Sequence, residues 1–103
     1  MSYAVYRTDK ANEQLYDIFY YIAADSGSTE RALEYLDKIE AGILRLKEFP
    51  YLGSAPRYRV LKRQGYRVLI VERHLVFYKV YEQEKKIIVY AVIDGKREYT
   101  RLI

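Results

Sequence analysis

Apolar positions in the first half of the chain recur every three or four residues, which is the spacing of one helix face. The first such stripe predicts an amphipathic helix over residues 9–24. A second stripe, running from Leu33 to Leu46, predicts another helix over residues 30–48. Residues 25–28 read Asp-Ser-Gly-Ser, a helix break with a capping residue, so we expect the two helices to form an antiparallel hairpin.

The second half changes to runs of β-branched and aromatic residues, which favour strands. A loop that contains both prolines is predicted for residues 50–64, and strands are predicted for residues 66–71, 75–81 and 86–93. Short links between these strands suit an antiparallel meander. Both alternating sets of the last run are apolar, so we expect that strand to be central and covered on both faces. A short strand is also predicted at residues 3–7.

The predicted order is therefore β-α-α-β-β-β, an α+β fold in which an antiparallel sheet is covered on one face by an N-terminal helical hairpin. At 103 residues we expect a single domain spanning residues 1–103. The chain has no cysteine and one histidine, too few ligands for a zinc site, so we expect no metal and no cofactor. No apolar run approaches the length of a membrane span, and the lack of cysteine fits a reducing compartment. We therefore expect a cytoplasmic protein with no membrane contact.

Charge divides the chain into two unlike halves. Residues 1–49 carry six Lys/Arg against nine Asp/Glu, a net charge of −3, whereas residues 50–103 carry twelve against five, a net charge of +7. No acidic residue lies between Glu48 and Glu72, and the cations there alternate with tyrosines. Such a stretch predicts a polyanionic or acidic partner, such as nucleic acid, the ribosome or an acidic protein segment. The alternative is a solvated basic loop that only maintains solubility.

Tyrosine and histidine supply the remaining candidate chemistry. Four tyrosines lie on more than one face of the predicted helices: Tyr16, Tyr20, Tyr21 and Tyr35. They predict an exposed apolar groove that could bind the amphipathic helix of a partner protein. The alternative is that these are ordinary half-buried tyrosines whose hydroxyl groups are solvated. His74 alone titrates near neutral pH, but a lone histidine at the start of a strand is usually structural. The sequence has no Gly-rich phosphate loop and no Ser-His-Asp arrangement.

Four segments in order carry a resemblance to a known family. They are Phe-Pro-Tyr-Leu-Gly at residues 49–53, the strand runs at 66–71 and 75–80, and Val-Ile-Asp-Gly-Lys-Arg-Glu-Tyr at 92–99. With the element order, these segments make the chain resemble the RelE/ParE superfamily of bacterial toxins, from type II toxin–antitoxin modules of the plasmid-stabilisation type. The resemblance covers nearly the whole chain, and its specificity comes from the order and spacing of the segments.

The resemblance implies one of two activities. ParE-like members are growth inhibitors that bind DNA gyrase and cut nothing themselves, and this is our prediction. RelE-like members are mRNA interferases that cut messenger RNA in the ribosomal A site without a metal, and this is the alternative. A third reading is a decayed member that binds its antitoxin and represses transcription without toxicity. All three readings imply a cognate antitoxin that binds at the tyrosine groove. The expected assembly is either a toxin homodimer or a toxin–antitoxin heterotetramer.

The resemblance also assigns residues to each activity. A nuclease would use Arg67, His74, Arg97 and Tyr99. Attack of a ribose 2′-hydroxyl on the adjacent phosphate needs a base, an acid and donors to the charged transition state. At three positions RelE-like nucleases have a basic residue or a tyrosine, and these positions fall near Leu69, His74 and Ile103 in this chain. The chain lacks those nuclease residues, so it resembles the ParE branch more closely.

A cationic contact surface is expected for either target. Its predicted members are Arg57, Arg59, Lys62, Arg63, Arg73, Lys96, Arg97 and Arg101. We further expect the curved sheet to bring Arg67 and Arg97 to one shared concavity.

Overall fold

The structure is a computed structural model that describes residues 2–96. Its elements in chain order are β1 (Ala4–Arg7), α1 (Asp9–Ser26), α2 (Thr29–Arg45), α3 (Arg59–Arg63), β2 (Arg67–Val71), β3 (His74–Tyr81) and β4 (Lys86–Asp94). The α+β class and the predicted order are confirmed, with α3 as an addition. The predictions made for Arg97, Tyr99 and Arg101 lie outside the described residues.

The helical hairpin is set by its caps. The Thr8 hydroxyl accepts a hydrogen bond from the Ala11 N–H at 3.1 Å and starts α1. Gly27 ends α1 with φ of 69°, in the left-handed region that glycine adopts without strain. The Ser28 hydroxyl then accepts from the Arg31 N–H at 3.1 Å and starts α2. The predicted break at residues 25–28 is therefore shorter than expected, since α1 continues to Ser26.

The sheet has the strand order β1-β4-β3-β2. β2, β3 and β4 form the predicted antiparallel meander, and β4 is central as expected. β1 pairs with β4 in parallel, with Val5 opposite Ile87, so the sheet is mixed and the prediction of a wholly antiparallel sheet is wrong on this point. No hairpin joins β1 to β4, because both long helices intervene, and so no local turn signal gave their relative direction.

Two apolar clusters cover opposite faces of the sheet. On the helix side, Ile39 of α2 and Leu46, which follows α2, pack with strand residues such as Val76 and Ile87, all with 0% exposure. On the other side, Leu61 of α3 packs on a second cluster: Val68, Phe77, Ala91 and Ile93. The predicted loop over residues 50–64 was thus wrong in part. Its five-residue helix was missed because one turn with a single buried side chain gives no periodicity.

A β-bulge in β4 changes which side chains face the helices. Phe77 is opposite Ala91, but Tyr78 is opposite Val89, so Tyr90 is the extra residue. Before the bulge Val89 packs on the helix side, whereas Ala91 after it packs on the α3 side. Tyr90 is thereby free to stand on the α3 side of the sheet.

Among residues 2–96, no helix is both long and apolar enough to cross a membrane. That same part of the chain holds no cluster of three or more His, Cys, Asp or Glu side chains arranged for a metal ion.

Candidate functional site

Arg67, the first candidate of the nuclease set, binds a loop of the protein itself. Its guanidinium donates hydrogen bonds to the carbonyl oxygens of Tyr51, at 3.1 Å, and Gly53, and it lies 5.1 Å from the centroid of the Tyr51 ring. The same loop is fastened by Tyr78, whose buried hydroxyl accepts from the Gly53 N–H and donates to the Pro50 carbonyl, each at 2.9 Å. Arg67 therefore anchors residues 50–53 to the start of β2.

His74, the second candidate, is buried beneath α2 with 6% exposure. Its Nδ1 lies 2.6 Å from the Tyr35 hydroxyl, and the Arg73 N–H donates to that hydroxyl at 3.2 Å. The Tyr35 oxygen thus accepts from the Arg73 N–H and shares a second hydrogen bond with Nδ1, in which the donor is set by the tautomer of the imidazole. Burial lowers the pKa of His74, against an opposing effect of Asp94, so the ring is neutral at pH 7.

The structure does not bring Arg67 and His74 together. His74 is opposite Val71, which is four residues along β2 from Arg67, so the two backbones are ~13 Å apart at about 3.3 Å per residue. Arg67 lies two residues from Leu69 and His74 two residues from Val76, and both of these neighbours pack in the helix-side cluster, so the two strand positions face the helix side of the sheet. Within residues 2–96, no catalytic pair is assembled from the predicted set.

The four helix tyrosines fall into three environments. Tyr16 and Tyr20, four residues apart, share one face of α1 and are 64% and 65% exposed. Tyr21 is as exposed, but it lines an open cleft of about 580 Å³ together with His74 and Asp94. Tyr35 packs partly buried against the core and holds His74, so the expectation of four exposed rings is wrong for Tyr35.

The predicted cationic surface divides into two groups. Arg59, Lys62 and Arg63 lie on α3, which leads into the start of β2. The second group lies where β2 and β4 end. There the Gly95 N–H donates to the Arg73 carbonyl at 2.9 Å, which places Lys96 near the β2–β3 turn. Arg57 stacks on Tyr58 with its guanidinium carbon 5.0 Å from the ring centroid.

Sequence reasoning missed a third cationic group on the α3 side of the sheet. The Lys79 ammonium lies 4.5 Å from the Tyr66 ring centroid and 5.4 Å from that of Tyr90. The Lys86 ammonium lies 5.6 Å from the Tyr81 ring centroid, and the hydroxyls of Tyr81 and Tyr90 share a hydrogen bond. We call Tyr66, Lys79, Tyr81, Lys86 and Tyr90 the tyrosine–lysine face.

Part of this face could have been found from the sequence, since Lys79 and Tyr81 alternate along one strand run. The place of Tyr90 depends on the bulge and gave no signal. Burial, with the hydrogen bond to Tyr81, raises the pKa of Tyr90 to about 12, and burial also raises the pKa of Tyr66. These two phenols therefore stay neutral at pH 7, and the charge of the face comes from its lysines.

Two of the solved structures that are similar to this chain show the same fold. One is described as the chromosomal ParDE toxin–antitoxin system from P. aeruginosa; the likeness has a TM-score of 0.76 at 19% identity and covers 92% of this chain and 98% of that chain. The other is the toxin–antitoxin complex RelBE2 from Mycobacterium tuberculosis, with a TM-score of 0.59 at 15% identity, covering 91% and 99%. At these identities the likeness establishes the fold, that of the RelE/ParE toxins.

The sequence itself then defines the family. The family model for the "ParE toxin of type II toxin-antitoxin system, parDE" matches residues 5–99, so the chain belongs to the ParE toxin family of the RelE/ParE superfamily. No curated protein matches the chain in sequence.

Proposed function

We propose that this ParE-family toxin inhibits growth by binding DNA gyrase, that it cuts no nucleic acid itself, and that a cognate antitoxin neutralises it. The observation that carries the proposal is that Arg67 and His74, two of the nuclease candidates, make contacts that hold the fold together. Arg67 donates to two loop carbonyls, and His74 shares a hydrogen bond with Tyr35. Along the sheet the two residues are about 13 Å apart, at about 3.3 Å per residue. A general base must lie within hydrogen-bond reach of the proton that it removes, and these two groups cannot share one phosphate.

The antitoxin contact is proposed for the exposed side of the helical hairpin. Tyr16 and Tyr20 on α1 and Leu33 on α2 present large apolar surface to solvent. A partner segment that buries these side chains gains the free energy of removing their apolar area from water. The two similar solved structures are a toxin–antitoxin system and a toxin–antitoxin complex, which supports a protein partner of this kind.

The gyrase contact is proposed for the two basic groups that the sequence predicted. Arg59, Lys62 and Arg63 form one group on α3, and Arg73 with Lys96 forms the other beside the β2–β3 turn. Within residues 2–96, the ion pairs Arg7–Glu40 and Lys38–Glu72 involve none of these five cations. Their charge is therefore available to attract an acidic protein surface, with an association rate that falls as salt rises.

A reconstituted reaction tests the target. Purified gyrase, supercoiled plasmid and ATP are incubated with the toxin, and protein-linked linear DNA is measured after detergent treatment. We expect linear DNA to accumulate only when gyrase is present, and we expect a variant that replaces Arg59, Lys62 and Arg63 with Gln to lose most of the effect. Lys38→Gln on α2 is the matched control. Cleavage of messenger RNA in a purified ribosome reaction, with no effect on gyrase, would instead support the nuclease alternative.

A further inference from the structure

We propose that the tyrosine–lysine face, together with α3, binds single-stranded nucleic acid by stacking its bases and pairing with its phosphates. This binding shares the cations of α3 with the gyrase contact proposed above, but it concerns a different class of partner and adds the tyrosine–lysine face, which the gyrase contact does not use. It differs also from the nuclease alternative, since it requires no cleavage and gives no role to the candidate catalytic residues, although Arg67 lines the hollow shared by Lys62 and Tyr66.

The pairing registers put the face on the side of the sheet away from the long helices. Tyr81 is directly opposite Lys86, so their side chains share one face. The neighbours of Lys86 and Tyr90 along β4, Ile87 and Val89, have 0% exposure in the helix-side cluster. Since alternate strand residues point to opposite faces, Lys86 and Tyr90 point away from that cluster.

The face continues to the edge of the sheet. Tyr6 of β1 is opposite Ile88, which lies between Lys86 and Tyr90 in the same alternating set, and the Tyr6 ring is 56% exposed. At the other end, Tyr66 stands edge-on to Tyr90 with 5.6 Å between ring centroids. The rings from β1 to the start of β2 are the stacking platform that we propose, and base stacking on such rings needs no particular sequence.

The lysines supply the phosphate contacts. The ammonium groups of Lys79 and Lys86 lie over tyrosine rings, and neither is in an ion pair among the described residues. A cation above an aromatic ring is attracted by the ring quadrupole but keeps its charge, so it can still pair with a phosphate oxygen. Each lysine thus places a positive charge beside the ring on which a base would stack.

α3 extends this charge beyond the platform. Lys62 of α3 and Tyr66 of the face line the same hollow of about 250 Å³. Arg59 and Arg63 lie on the same short helix, in the stretch between Glu48 and Glu72 that has no carboxylate. An anionic strand that leaves the rings at Tyr66 would therefore meet further cations. An acidic protein segment would satisfy the charges but would leave the row of rings without stacking partners, so a nucleic acid strand fits the whole surface better.

A single strand fits this surface better than a duplex. Stacking on tyrosine requires bases that are free of their own duplex stack. A duplex would offer only its phosphates, and those contacts carry strong salt dependence without the stacking contribution.

Fluorescence anisotropy of the purified toxin tests the proposal. The probes are fluorescein-labelled dT12, U12 and a 12-base-pair DNA duplex, titrated at several salt concentrations. We expect both single strands, or one of them, to bind at least tenfold more tightly than the duplex, and the preference between dT12 and U12 then shows whether DNA or RNA is the better ligand. Duplex binding as tight as single-strand binding, or no binding to either strand, would overturn the proposal.

Substitution of the two lysines separates the face from general charge. The double variant Lys79→Gln and Lys86→Gln keeps most of each side-chain stem, and we expect it to weaken single-strand binding about tenfold or more. The slope of the logarithm of the binding constant against the logarithm of salt concentration should become shallower by about 1.4, because each of the two lost phosphate contacts contributes roughly 0.7. Lys38→Gln together with Lys47→Gln removes the same charge elsewhere and should bind as the unmodified toxin does. Equal losses in the two double variants would contradict the proposal.

Photo-crosslinking identifies the tyrosines that contact the bases, and it uses only the unmodified toxin, so no variant has to fold. A 12-mer with 5-iodouracil at each position in turn is irradiated with the unmodified toxin, and the adducts are located by mass spectrometry. We expect adducts on Tyr66, Tyr90 or Tyr6. Adducts confined to the exposed helix tyrosines Tyr16 and Tyr20 would refute the assignment of this face.

Discussion

The hydroxyl of Tyr35 joins α2 to the β2–β3 turn through both His74 and the Arg73 backbone, so its removal gives a sharp prediction. In Tyr35→Phe the ring keeps its packing, but Nδ1 of His74 and the N–H of Arg73 both lose a partner. His74 is 6% exposed, so water cannot readily replace the lost partner.

The expected cost follows from that burial. Leaving a buried donor or acceptor unsatisfied costs about 1–3 kcal/mol. For a domain near 100 residues, each kcal/mol lowers the melting temperature by roughly 4–8 °C. Urea unfolding followed by circular dichroism gives the free energy of unfolding directly. Tyr16→Phe is the matched control, because it removes a hydroxyl from a ring that is 64% exposed, and it should change that free energy by no more than about 0.5 kcal/mol. If Tyr35→Phe is no less stable than Tyr16→Phe, the assigned hydrogen-bond chain is wrong.

Three further predictions concern other parts of the molecule. Burial lowers the pKa of His74 in the folded protein below its usual 6.5, so folding favours the neutral ring. The contribution of His74 to stability should therefore be complete above about pH 6.5 and fall as the pH decreases below that value. The variant His74→Gln should abolish this part of the decline in urea titrations between pH 5 and 7. Gly53→Ala would place a Cβ 2.5 Å from the Val68 carbonyl oxygen, so we expect a loss of about 2 kcal/mol or more in the same assay, and an unchanged stability would contradict the described loop. Tyr20→Asp puts a charge on the exposed face of α1 and should weaken antitoxin binding by at least tenfold in calorimetry while leaving the melting temperature within a few degrees; equal affinity would place the antitoxin elsewhere.

The sequence was sufficient for the parts of the fold that have a regular period. The stripes of α1 and α2, and the double apolar pattern of β4, each predicted the correct element, because burial along a regular element leaves a period in the sequence. The direction of β1, the single turn of α3 and the bulge at Tyr90 left no such period, since each depends on contacts between residues distant in the chain.

The candidate site shows the same division. Charge counting found the cations of α3, because a stretch without carboxylates is visible in the sequence. It could not show that Arg67 binds the carbonyls of Tyr51 and Gly53, since those atoms belong to every residue and have no sequence signature. Nor could it show that Lys79 lies between Tyr66 and Tyr90, which are 24 residues apart and meet only across the sheet.

The central claim is that this ParE-family toxin acts on gyrase and does not cleave RNA. The most direct measurement is to induce the toxin without its antitoxin and to map, in the same culture, double-strand DNA breaks and messenger RNA 5′ ends. We expect growth arrest with protein-linked DNA breaks at gyrase sites and intact messages. New message ends at ribosomal A sites, with unbroken DNA, would contradict it.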